Sequence, residues 1–81
     1  MRRTDLDRDF EILFLNITFL RKHHRISKKQ MAKLLEIGLW SLNKIEKGEL
    51  PPRLGINIVF AIQKHFGIHP TVQLSQLLEQ I

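Results

Sequence analysis

Residues 20–48 read LRKHHRISKKQMAKLLEIGLWSLNKIEKG, and two short helices are legible inside them. Ser27 is a good N-cap, because its hydroxyl can accept from the unpaired N–H groups of a first turn. A helix is predicted from Lys28 to about Leu35, with Met31, Leu34 and Leu35 turned inward at helical spacing. Ala32 leaves space on that helix for a close neighbour. Glu36-Ile37-Gly38 reads as a turn, and the next helix is predicted from Leu39 to about Lys47. Leu42 and Ile45 form its inward face, and Gly48 closes it.

Upstream, Phe10, Leu13, Ile17 and Leu20 recur at steps of three and four, the spacing of one helical face. The helix that carries them is predicted to begin near Thr4 or Asp5, where Thr4 and Asp7 resemble a capping box, and to end in the cations Arg21 to His24. Ile12, Leu15 and Phe19 lie off that face, so a second neighbour is expected to cover them. Downstream, Pro51-Pro52 enforces extended backbone, and residues 49–56 form a loop. Asn57 is predicted to cap a helix to about His65, with Val59, Ile62 and Phe66 on its core side and Gly67 ending it. Pro70 opens a last helix in which Leu74, Leu77, Leu78 and Ile81 form one stripe. No segment alternates with period two. The reading is an all-α bundle of five helices forming one domain over residues 1–81.

The composition narrows the function. Hydrophobic residues make up 43% and charged residues 26%, with few Gly and Pro, which excludes a linker or a disordered tail. No apolar run approaches the roughly 18 residues of a membrane span. Asp5, Asp7 and Asp9 stand where a signal peptide needs an apolar stretch, so a cytoplasmic protein is expected. The absence of Cys removes disulfides, thiolate catalysis and thiolate zinc sites. The net charge is +5, and residues 1–9 and 49–81 are each neutral, so the whole excess lies between Arg21 and Lys47. A concentrated basic stretch suits an anionic partner, nucleic acid above all.

The stretch resembles the helix-turn-helix of the phage repressor and Cro type, the family also called xenobiotic-response-element-like. The likeness is positional and covers residues 13–48, with the following helices in outline. Ser27 caps the first helix of the motif, which spans about 27–47, and Lys28 stands where the family usually has Gln. Ala32 falls where a small side chain lets the two helices cross, Ile37 at the buried turn position, and Leu42 and Ile45 at the apolar positions of the recognition helix. Glu46 followed by Lys47-Gly48 reproduces a closing Glu-x-Gly, and Arg21 sits where the family often has an Arg that pairs with that Glu. The resemblance therefore implies an Arg21–Glu46 ion pair, worth at most about 1 kcal/mol if largely exposed. The sequence departs from the family at Glu36, which stands where Gly usually supplies a positive φ, and at Gly38, where Ser usually caps.

What the resemblance implies is sequence-selective binding of double-stranded DNA by a small transcriptional regulator, a repressor, acting as a homodimer on paired half-sites. The base-facing positions carry over to Leu39, Trp40, Asn43 and Lys44, and the phosphate contacts to Ser27, Lys28, Lys29, Ser41 and Lys47. Ser27 is a cap first and a phosphate contact second. Leu39 and Trp40 break the pattern, since the family often places hydrogen-bonding side chains there. They can press on thymine methyls or sugar edges, pack locally, or contact another protein. That last option defines a second reading, a helix-turn-helix turned protein-interaction module such as an antirepressor or antitoxin.

Other signals are weaker. His23 and His24 are adjacent, hence about 100° apart on a helix, and Gly67 separates His65 from His69, so no metal site is expected. No catalytic grouping, phosphate loop or cofactor signature stands out, and short helices offer little concave pocket, so an enzyme is not expected. Arg2, Arg3 and Arg8 are interleaved with Asp, which favours helix initiation over a DNA-reaching arm.

Overall fold

The computed structural model describes residues 4–52 and 54–80, with side chains from Arg8 onward. The side chains of the expected Thr4–Asp7 cap, and the whole of Arg2, Arg3 and Ile81, therefore lie outside what is described. Helix α1, Thr4–His23, is the longest described element. It is followed by α2, Lys28–Leu35, α3, Leu39–Glu46, α4, Asn57–Phe66, and α5, Pro70–Ser75. A single turn of 3-10 helix, Leu78–Gln80, ends the described chain. Among the described residues there is no strand, and the fold is all-α.

One core forms because each helix contributes a stripe to it. Leu13, Phe14, Ile17 and Leu20 of α1 meet Met31, Ala32 and Leu35 of α2, Leu42 and Ile45 of α3, and Ile58, Val59, Ala61 and Ile62 of α4. Phe10, Leu34, Ile37, Phe66, Leu74 and Leu78 pack around its edge, half-buried. Burying one such aliphatic side chain is worth about 1.5–3 kcal/mol. α1 packs on α3, on α5 and on the terminal turn, while α2 packs on α3 and α4. The second apolar side of α1 is thus covered within the chain in part: Ile12 and Phe19 are half-buried, and Leu15 stays exposed.

The first three helices end in the same backbone pattern. After α1, the Arg25 N–H donates to the Lys22 carbonyl at 3.1 Å and the Ile26 N–H to that of Arg21 at 2.9 Å. After α2, Glu36 and Ile37 donate to Lys33 and Ala32 at 3.1 and 3.0 Å, and after α3, Gly48 and Glu49 donate to Ile45 and Lys44 at 2.9 Å each. This is the Schellman arrangement, and it places one residue in the left-handed region. Gly48 does so freely at φ 81°, whereas Arg25 at 56° and Glu36 at 59° carry a Cβ there. The half-buried Ile26 and Ile37 follow these two residues into the core edge and hold the turns closed.

Two sequence expectations are corrected. Asn57 does not cap α4: Ile56, in helical conformation at φ −65° and ψ −16°, starts the turn one residue earlier. The entry is closed by backbone alone, with the N–H groups of Ile58 and Val59 donating to the Gly55 and Ile56 carbonyls. The last helix does not run from Pro70 to Ile81 either. It stops at Ser75, Gln76 is extended at φ −129° and ψ 132°, and Leu74, Leu77 and Leu78 do not share one continuous helical stripe.

The cause is Asn16, 98% removed from solvent on the inner side of α1. Its amide nitrogen donates to the carbonyls of Gln73 and Gln76, both at 2.8 Å, and its oxygen accepts the Leu78 N–H at 2.8 Å. The side chain takes up the backbone groups released where the helix breaks. Gln73, also fully buried, donates to the carbonyls of Val59 and Ile68, stitching α5 to α4. Replacing Asn16 with Ala orphans all three backbone groups, so it should destabilise the fold by about 2–4 kcal/mol in urea denaturation.

Candidate nucleic-acid interface

The angle between α2 and α3 is set at both of their ends. Ser27 opens α2 in extended conformation, and a complete capping box closes its first turn: the Gln30 N–H donates to Ser27 Oγ at 3.1 Å, and the Ser27 N–H to Gln30 Oε1 at 3.3 Å. Gln30 was not singled out by the sequence reading, although Ser-x-x-Gln is itself a legible signature. Glu36 and Gly38 then turn the chain, with Gly38 acting as N-cap of α3 through its carbonyl alone.

Arg21 fastens the unit to α1. Its Nε donates to Glu46 Oε2 at 2.5 Å and its Nη2 to Glu46 Oε1 at 3.1 Å, a two-pronged clasp. Its Nη1 donates to the Ile26 carbonyl at 3.2 Å, so one guanidinium holds the end of α3 and the link into α2 together. The side chains are only 15% and 9% exposed, unlike the largely exposed pair on which the sequence-based estimate was conditioned. Water screens it little, and loss of either partner strands a charge in a mostly dry position.

With Leu42 and Ile45 buried, the opposite face of α3 presents Leu39, Trp40, Asn43, Lys44 and Lys47 to the outside. Trp40 is 59% exposed and Leu39 45%. Asn43 and Ser41 are half-buried, and Lys47 is exposed. Lys44 is the exception to a freely projecting base reader. Its ammonium lies 3.0 Å from Glu49 Oε1 and 5.0 Å from the centre of the Trp40 ring. Sequence reasoning overlooked Glu49, because five residues along a helix is the wrong spacing. The left-handed turn at Gly48 is what swings it back beside Lys44. The hydrogen bond and charge of Lys44, with help from Lys47, hold the Glu49 carboxyl below the usual glutamate range against a small opposing effect of desolvation.

Ser27, Lys28 and Lys29 stand exposed at the start of α2. The first N–H groups of that helix and its dipole favour an anion there. Ser27 accepts from Gln30, and a hydroxyl that accepts can still donate. The histidines sit elsewhere: His23 and His24 stack edge-to-face between Phe19 and Phe66, and His69 caps α5 by accepting the Thr71 N–H. An open groove of about 450 Å³ between α1 and the end of α3, lined by Phe10, Leu15, Lys47 and Leu50 among others, is larger than the sequence led one to expect. No group of histidines and acids suited to a metal occurs among the described residues. Nor is any described helix long and apolar enough to cross a membrane.

A capped, basic first helix and a second helix with one free face, joined by a left-handed turn, define a helix-turn-helix domain. The family profile described as helix-turn-helix matches residues 17–73, from the middle of α1 into α5. The chain belongs to that family, in its Cro and repressor-type branch. Comparison with curated proteins and with solved structures finds no match.

Two outcomes follow from this geometry. Arg21→Ala and Glu46→Ala should each cost about 2–3 kcal/mol, and the double variant should cost less than their sum by about 1–3 kcal/mol, measured as urea midpoints in a mutant cycle. The lowered Glu49 group is charged over a wider range in the folded protein than in the unfolded chain. The stability it adds is therefore present above the ordinary glutamate range and fades as pH falls through the folded value. An NMR titration should find the Glu49 midpoint below that of an unpaired glutamate, and Lys44→Ala should return it upward.

Proposed function

We propose that this protein is a sequence-selective transcriptional regulator that binds double-stranded DNA, a repressor of the cytoplasm that works by occupying its site. Helix α3 enters the major groove. The start of α2 rests on the phosphate backbone through Ser27, Lys28 and Lys29, with Ser41 and Lys47 on phosphates beside the groove. The observation that carries this reading is the exposed outer face of α3, held by the Arg21–Glu46 clasp beside a capped helix start bearing two lysines. The charge agrees, since the segment from Arg21 to Lys47 carries eight Lys and Arg against Glu36 and Glu46, a net +6 in a chain of net +5.

A homodimer fits the remaining surface. Leu15, Leu50, Ile56 and Phe60 are large apolar side chains left at least half exposed. Two copies related by a two-fold axis would address half-sites about one helical turn apart. The competing reading, a protein-interaction module of the antirepressor or antitoxin kind, draws on the same exposed Leu39–Trp40 pair and on the acidic Glu36 beside it. Flanking lysines on both helices favour the polyanion.

The test is selection from a random pool of duplexes of about three helical turns, followed by anisotropy titration across a salt series. The reading requires an enriched inverted repeat whose affinity falls steeply with salt. Replacing Lys28, Lys29 and Lys47 with Ala should weaken binding and lower the log–log salt slope by about 2–3, near 0.9 per lost phosphate contact. No enrichment and no salt-dependent retention would transfer Leu39 and Trp40 to a protein partner.

A further inference from the structure

The most exposed pair at the front of the recognition helix, Leu39 and Trp40, is poor in hydrogen-bonding groups. Leu39 has none, and Trp40 has a single indole N–H. Lys44, the residue that would otherwise seek guanine O6 and N7, is held 3.0 Å from Glu49 and lies over the Trp40 ring. What remains toward the groove is an apolar pair in the first turn of α3, where recognition helices meet base edges, with Asn43 one turn further on.

Resting on the DNA reading above, we propose that this helix reads A·T pairs through the thymine methyl group, with Leu39 and Trp40 as the methyl-contacting surface. Thymine alone among the four bases carries a methyl on its major-groove edge, so an apolar surface discriminates there without a hydrogen bond. The amide of Asn43 complements the adenine N6 and N7 edge, and adenine is the partner of the base whose methyl is read. Lys28, Lys29, Lys33 and Lys47, all exposed on the same two helices, supply the charge that brings a polyanion against this otherwise apolar front. Burying exposed Leu and Trp surface on a methyl also removes apolar area from water on both sides of the contact.

The decisive probe is a change of one methyl. The duplex enriched from the random pool is resynthesised with deoxyuridine in place of thymidine, one position at a time. At the contacted positions binding should weaken about fourfold per methyl, with other thymines indifferent. Leu39→Ala and Trp40→Ala should bring that ratio toward one, whereas Trp40→Phe, which keeps an apolar ring, should retain it. Both positions are largely exposed, so the variants should fold, and circular dichroism verifies this. The Lys28, Lys29 and Lys47 triple variant should weaken both duplexes equally and leave the ratio intact. Equal affinity for thymine and uracil at every position overturns this inference and leaves the DNA reading standing. A ratio that survives both alanine variants also overturns it. Failure of the unmodified protein to hold any duplex overturns the DNA reading itself.

Discussion

The guanidinium of Arg21 meets the end of α3 through Glu46 and the approach to α2 through the Ile26 carbonyl, while its own backbone belongs to the last turn of α1. Three elements therefore share one rigid, planar set of donors. Helices of eight residues have little stability of their own, since the cost of nucleation is spread over very few hydrogen bonds. Their orientation has to come from outside them. A lysine at this position would offer a single charge with no fixed plane, and the two helices would be free to pivot about it. Because the pair is mostly shielded from water, it also acts as a latch: the arrangement that satisfies both charges is much better than any nearby alternative.

The turn between α2 and α3 is held in place at some energetic cost. A non-glycine residue in left-handed conformation is disfavoured by about 1–2 kcal/mol, and the chain accepts this at Arg25 and again at Glu36. In both places the next residue is an isoleucine half-buried at the core edge. Burying that side chain offsets the strain, and the backbone hydrogen bonds of the turn are satisfied at the same time. The two charged side chains point to solvent on the outer surface, where Arg25 adds to the basic field and Glu36 subtracts from it.

Much of the bundle was legible in advance because it depends on local signals. Caps and glycines punctuate the chain, apolar residues recur at three and four, and the helix-turn-helix register runs unbroken from Arg21 to Gly48. The bounds of α1, α2 and α3 follow from such signals. Asn16 and Gln73 escaped notice because a polar residue within an amphipathic stripe looks like its solvent face. Their meaning depends on carbonyls more than fifty residues away for Asn16, which no periodicity reports. Phe14 also belongs to the core, although its i+4 spacing from Phe10 and i−3 spacing from Ile17 places it on the face that the periodicity already reports. At the site, the engagement of Lys44 by Glu49 was not legible, because a reversed turn at Gly48 brings the two together.

The amino-acid sequence by itself determined the helices that carry the motif, the concentration of charge on them and the unusual apolar pair at the front of α3. These are properties of spacing and side-chain type, which are local. Tertiary structure alone decided that the last helix breaks after Ser75, that Arg21 and Glu46 meet away from water, and that Lys44 is drawn aside. Each of those depends on which groups a folded chain brings together across long separations, where one buried hydrogen-bonding side chain or one reversed turn outweighs the local preference for continuing a helix.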